Sequence, residues 1–166
     1  MKSLFLSYQT IIDRFLDMKL EKEISQKHFR NEYHKAYVNV LYTSNWIYEF
    51  QHQILKPLDI TTQQFNILRI LRGQYPKPAT IKLLKERMLD KMSDASRIVE
   101  KLRIKGLVER STSATNRREV DVIITECGLD LLLKIDQSNH EMDKFLSNLN
   151  VSEIRKLNAL LDKLRG

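Results

Sequence analysis

Lys91 to Thr125 reads KMSDASRIVEKLRIKGLVERSTSATNRREVDVIIT, and the pattern of this stretch decides the fold. Ala95, Ile98, Val99 and Leu102 recur at i, i+3, i+4 and i+7, which sets four apolar side chains along one stripe of a helix with 3.6 residues per turn. Gly106 stops that helix, because glycine accepts the left-handed backbone common just past a helix end. Leu107 to Arg110 predicts a short strand, and Val120, Val122 and Ile124 alternate with Asp121 and Ile123 as the strand that returns. Between the two lies a polar loop, Ser111 to Glu119, with adjacent cations at Arg117 and Arg118.

The helix face opposite the apolar stripe carries Ser93, Asp94, Ser96, Arg97 and Lys101. Short hydroxyl and carboxyl groups beside long cations suit the base edges and phosphates of a DNA major groove. On this reading Ser93, Asp94, Ser96 and Arg97 meet bases while Lys91 and Lys101 meet phosphates. Arg117 and Arg118, at the tip of a two-stranded ribbon beside that helix, reach the neighbouring minor groove. Charge is distributed accordingly. The 166-residue chain has a net charge of +7. Ile54 to Thr112 alone holds 13 Lys+Arg against 6 Asp+Glu, and the remainder is close to balance. A lysine-rich solvated surface would give the same total, but its concentration around the proposed reading helix favours phosphate neutralisation.

These residues resemble the MarR (multiple antibiotic resistance regulator) winged-helix transcription factors. The resemblance rests on Ile98-Val99-Glu100-Lys101-Leu102, Lys105-Gly106-Leu107-Val108-Glu109-Arg110, Asn116-Arg117-Arg118 and Ile124-Thr125-Glu126-Cys127-Gly128. In the family these correspond to a leucine-ended recognition helix, K-G-L-V-x-R, a wing with D-x-R, and L-T-x-x-G opening the next helix. The wing aspartate of that pattern is Asn116 here, whereas Arg118 matches the arginine that enters the minor groove. The resemblance runs from about His28 to Leu164. It implies a mainly α fold with a small β-wing: a winged helix-turn-helix lobe plus a helical dimerisation region built from N- and C-terminal helices. Within a single domain spanning 1–166, residues 1–56 and 126–166 would dimerise and 57–125 would bind double-stranded DNA.

The rest of the chain fits that plan. Leu4, Tyr8, Ile11, Ile12 and Phe15 predict a short amphipathic helix that packs on the dimer core; it lacks the dense Lys/Arg face of a membrane-surface helix. Tyr33, Tyr37, Val40, Leu41, Trp46, Ile47 and Tyr48 lie on a long helix from about Arg30 to His52, closed by Pro57. Its aromatics have two readings: core or dimer packing, which is favoured, and the lining of a pocket for a small aromatic ligand. Thr61 with Gln64 forms a T-x-x-Q capping box for a helix burying Phe65, Leu68 and Leu71 and ending near Gly73; Gln74 to Pro78 is a loop. Thr80 starts the first helix of the helix-turn-helix, with Leu83, Leu84 and Met88 inward and Lys82, Lys85 and Arg87 outward. Asp90 is the expected N-cap of the recognition helix, Ser93 its rival, and Met92 a packing residue at the turn. Thr125 caps a long helix through Leu131, Ile135, Met142, Phe145 and Leu149. Asn150 and Glu153 cap a final one bearing Ile154, Leu157, Leu161 and Leu164. Apolar faces beyond the needs of one lobe imply a homodimer, with two recognition helices about one DNA turn (~34 Å) apart on a pseudo-palindrome.

Catalysis and metal chemistry find little support. His28, His34, His52 and His140 form no H-x-x-x-H pair and have no cysteine nearby, so no metal is expected. Glycine-rich phosphate loops and paired carboxylates are absent, so neither an enzyme nor a cofactor is expected. Cys127 near a helix N-terminus admits a redox reading, but it occupies a variable position of the T-x-x-G motif. One cysteine precludes an internal disulfide and fits a reducing compartment, so the cytoplasm is expected; the opening residues resemble neither a signal peptide nor a membrane span. The expected function is sequence-specific regulation of transcription, as a homodimeric repressor released by a small ligand. The alternative is a winged-helix module that docks proteins.

Overall fold

The computed structural model describes residues 19–113, 119–138 and 143–166. The described helices are α1 (Leu20–Glu23), α2 (Glu32–Leu55), α3 (Thr62–Arg72), α4 (Ile81–Arg87), α5 (Ala95–Ile104), α6 (Glu126–Asp136) and α7 (Val151–Arg165), with a 3-10 turn at Lys56–Leu58. Strands β1 (Ala79–Thr80), β2 (Val108–Thr112) and β3 (Val120–Ile124) form one antiparallel sheet in the order β1-β3-β2. Mainly α with a small wing is therefore the architecture. The expected helix around Leu4 to Phe15 lies outside the described residues, as do Asn116, Arg117, Arg118, His140 and Met142.

Contacts divide the chain into Asn45–Ser138 and a second unit made of Met1–Ser44 with Asn139–Gly166. The first unit owns the core. Leu55, Ile67, Leu68, Leu71, Leu84, Met88, Val99, Leu102, Val108, Val122 and Leu132 are all essentially sealed from solvent. In the second unit, α1 buries Leu20, Phe145 is buried, and α7 buries nothing. There Lys35 pairs with Glu21, pulling the Glu21 carboxyl below its usual range, and Tyr42 donates to Glu23.

Local chemistry explains most boundaries. Thr61 and Gln64 make the predicted reciprocal capping box on α3, and Asn150 with Glu153 makes one on α7. The Thr80 and Thr125 hydroxyls cap α4 and α6 by accepting from Leu83 N–H and Gly128 N–H. Pro57 falls in the 3-10 turn that follows α2, so that helix runs to Leu55, slightly beyond the expected end. The helix after the wing is a correction. It was expected to run unbroken to Leu149, yet α6 stops at Asp136, where Ser138 N–H turns back to the Ile135 carbonyl. The apolar stripe lapses at that point into Asp136, Gln137 and Ser138; residues 139–142 lie outside the described residues, and 143–145 are helical. Strand β1 was not foreseen, since two residues show no periodicity; only the pairs Ala79–Val122 and Thr80–Asp121 define it.

Candidate nucleic-acid interface

Helix α5 is held from three sides. Ala95, Val99 and Leu102 are buried and Ile98 packs against the same core, the stripe predicted from spacing. Burial of Val99 and Leu102 contributes roughly 1.5–3 kcal/mol each. At its end Gly106, with φ +70°, completes a Schellman stop: Gly106 N–H donates to the Arg103 carbonyl and Leu107 N–H to that of Leu102. Thr125 then joins this stop to the start of α6, for its hydroxyl donates to the Gly106 carbonyl and its N–H to the Leu107 carbonyl. A Cβ on Gly128 would lie 2.4 Å from the Leu107 carbonyl oxygen, so α6 approaches this turn too closely for any side chain there. The K-G-L-V and T-x-x-G pieces of the sequence are thus the two sides of one joint.

The N-terminal end corrects two expectations. The N-cap of α5 is Asp94, whose carboxylate accepts from Arg97 N–H at 3.1 Å; it is neither Asp90 nor Ser93. Asp90 instead folds the preceding turn, accepting from Met92 N–H and from the Ser93 hydroxyl at 2.6 Å. The Ser93 hydroxyl and then the Met92 amide hold its carboxyl below the usual range. Geometry separates these candidates: Asp90 reaches the N–H two residues ahead, at Met92, where no helix follows, whereas Asp94 reaches Arg97 N–H within the first turn of α5. Met92, expected to pack, is 94% exposed, because the turn that fixes its backbone directs it away from the core. The turn is also anchored to α3, where the Asn66 side chain accepts from Leu89 N–H and Gln63 hydrogen-bonds Asp90.

Of the predicted DNA contacts, Ser93, Asp94, Ser96 and Arg97 come together at this end, while Lys101 stands in the last turn of the helix. Ser96, Arg97 and Lys101 are exposed, Arg97 and Lys101 standing one turn apart, while Ser93 is half-buried. The Asp94 carboxylate is engaged as the cap, and the Lys91 ammonium donates to the Glu86 carbonyl near the end of α4. Ser113 N–H donates to the Glu119 carbonyl at the base of the wing loop. Arg117 and Arg118 lie outside the described residues.

Glu100 is a feature that sequence reasoning missed. It sits on the polar side of α5 and is claimed by two arginines: Arg103 at 2.8 Å on the same helix and Arg110 at 2.9 Å from β2. Arg103, then Arg110, hold its carboxyl down to about 2. Two things follow. Helix α5 is tied to the first strand of the hairpin, and the one carboxylate beside the exposed Arg97 and Lys101 on this helix is neutralised. The i,i+3 spacing of Glu100 and Arg103 was a legible signal, but Arg110 comes from another element. At the C-terminal end of α5, Lys105 bonds the Asp59 carboxylate at 3.0 Å and borders a cavity of about 450 Å³ shared with His52, Lys56, Ile60, Gln64, Lys101 and Ile104. Tyr48 lines a second cavity of about 270 Å³ with Glu49, His52 and Gln53. Cys127 is exposed.

A helix-turn-helix followed by a hairpin wing, with cations on the exposed side of its second helix, defines the winged-helix class of DNA-binding proteins. Residues 60–120 match the sequence model of the MarR family. The chain is 26% identical over 139 residues to the HTH-type transcriptional repressor IacR of Pseudomonas putida, covering 81% of this chain and 79% of that one. A mutant MarR of E. coli complexed with operator DNA is similar at 25% identity with a TM-score of 0.72, over 83% of this chain and 99% of that one. The MarR transcription factor of Planctomyces limnophilus is 26% identical with a TM-score of 0.62, over 81% and 98% of the two chains. The organohalide-sensing RdhR regulator in its 2,4-dichlorophenol-bound form, at 22% identity and a TM-score of 0.74, shares the fold. The chain is thus similar to MarR-family transcriptional regulators over most of its length, and the family's own sequence pattern matches its helix-turn-helix and wing.

Proposed function

We propose that this regulator is a homodimeric repressor that reads a pseudo-palindromic operator with the N-terminal end of α5. Ser93, Ser96 and Arg97 would contact base edges, Lys101 phosphates, and Arg117 with Arg118 the minor groove. Asp94 and Lys91 take the assigned surface positions, but their first task is structural, as N-cap and as a tie to α4; Lys91 retains two further N–H donors for a phosphate. The observation that carries the reading is the exposed Ser96-Arg97-Lys101 surface on a helix fixed by its core stripe, its Schellman stop and its ion pair to β2.

Dimerisation is supported by unpartnered apolar surface. Tyr33, Tyr37 and Leu41 on α2, and Val151, Leu160 and Leu164 on α7, are 48–87% exposed. Helices with such faces are stable when a second chain covers them. The N- and C-terminal segments, 1–56 and 126–166, are accordingly assigned to dimerisation.

Release by a small aromatic ligand is the finer part of the proposal. Tyr48 at one cavity, and Ile60 and Ile104 among cations at the other, offer apolar walls for such a molecule. A ligand acts only through unequal affinity for two conformations. Phenol and benzoate titrated into the DNA complex would test this: one of them lowers affinity if the reading holds, and two flat titrations oppose it.

The function as a whole is tested by incubating purified protein with sheared DNA from its own source at two salt concentrations and sequencing what is retained. Pseudo-palindromes that survive the higher salt are expected. Uniform recovery that vanishes with salt would leave only non-specific electrostatics and favour the protein-docking reading.

A further inference from the structure

We infer that Met92 reads a thymine methyl group in the major groove. This rests on the proposed DNA-reading role of α5 and assigns that surface an apolar contact.

Single exposed apolar side chains are ordinary on protein surfaces. Met92 is distinguished by its setting. It is 94% exposed, and its own N–H is held by the Asp90 carboxylate at 3.0 Å. The next residue, Ser93, is bound to the same carboxylate, and the residue after that is the N-cap of α5. The turn is fastened to α3 through Asn66 and Gln63, and to the end of α4 through Lys91. A segment fixed at so many points presents its side chain as part of the surface rather than as a loose tip. That surface is the entry of the recognition helix, where helix-turn-helix proteins bring side chains to base edges.

The neighbours define what Met92 can add. Ser93, Ser96 and Arg97 supply hydroxyls and a guanidinium, which recognise the donors and acceptors of base edges. The feature those groups cannot sense is the C5-methyl of thymine, the one apolar mark in the major groove. An unbranched, polarizable thioether fits such a mark. Leu89, 87% exposed in the same turn, stands five residues before the cap and is not needed for this assignment.

The test uses the tightest duplex that the wild-type protein selects from a random DNA pool, with deoxyuridine replacing thymine at one position at a time. Wild-type affinity should fall roughly fourfold at one or more thymines of each half-site, the factor expected for one methyl group removed from contact. Met92→Gln should erase that difference while binding the deoxyuridine duplex as wild type does, and Met92→Leu should restore it. Wild-type indifference to every thymine replacement, or full sensitivity in Met92→Gln, would overturn the assignment while leaving DNA reading intact. A selection that enriches no duplex would overturn both.

Discussion

Helices α5 and α7 have similar amphipathic sequences and opposite fates. In α5, Val99 and Leu102 are wholly buried within the chain's own core. In α7, Leu157, Leu160 and Leu164 are 40–69% exposed and no residue is buried. Both helices are capped, by Asp94 in one and by Asn150 with Glu153 in the other. Capping and stripe therefore make a helix in either place, and only packing partners distinguish them. Asn45–Ser138 thus buries its own apolar stripe, whereas the apolar face of α7 stays exposed among the described residues, as the proposed dimer requires.

Mutation can break this contrast directly. The largest effect is expected from Leu102→Ala, which opens a cavity in a sealed core and should cost about 2–5 kcal/mol in urea unfolding. Leu160→Ala on α7 should leave the unfolding of a dilute, monomeric sample within ~0.5 kcal/mol of wild type while weakening self-association. Equal losses at the two leucines would erase the distinction.

Gly128→Ala comes next, at about 1–3 kcal/mol, because the new methyl meets the fixed Leu107 carbonyl and the Ile124 side chain. A thermal melt unchanged from wild type would mean that the joint between the α5 stop and α6 is slack. Asp94→Ala should cost about 1 kcal/mol through the lost cap. Asp90→Ala should change the turn ahead of α5, so amide-exchange protection would fall at Met92 and Ser93 rather than at Arg97.

The smallest effect concerns pH. Glu100 is depressed from the ordinary value of 4.5 to about 2 by Arg103 and Arg110. A carboxylate whose folded value is lowered stabilises the fold fully above the ordinary value and loses that contribution as pH falls toward the folded one. The tie between α5 and β2 should therefore be intact at pH 6 and fade between about pH 4.5 and 2. The side-chain carbon resonance of Glu100 should titrate near the lower limit, and a midpoint near 4.5 would mean that the arginines do not hold it.

Much of this was legible in the sequence where the cause is local. The Thr61-Gln64 and Asn150-Glu153 boxes, the Thr80 and Thr125 caps, the Gly106 stop and the α5 stripe each need only a few neighbouring residues. The cap of α5 was misread because Asp90, Ser93 and Asp94 all have suitable side chains, and the choice depends on which backbone amide each one reaches. Met92 was misread because an apolar residue beside a helix start usually packs, whereas here bonds from Asp90 and Asn66 set the turn. Strand β1, the Glu100–Arg110 pair and the tight fit at Gly128 join separate elements, and spacing along the chain does not encode such meetings. The apolar surplus of α2 and α7 was legible too, and the described residues of those faces are exposed.

If a second chain covers α2 and α7 while Asn45–Ser138 folds on its own, self-association and DNA reading are separable. Sedimentation velocity of the protein with its selected duplex, for wild type and for the combined Leu157→Glu, Leu160→Glu and Leu164→Glu variant, tests it most directly. Two wild-type chains per duplex and a dimer without DNA are expected, with the variant a folded monomer that binds a single half-site weakly. A wild-type monomer binding one chain per duplex, or a variant that remains dimeric, would contradict it.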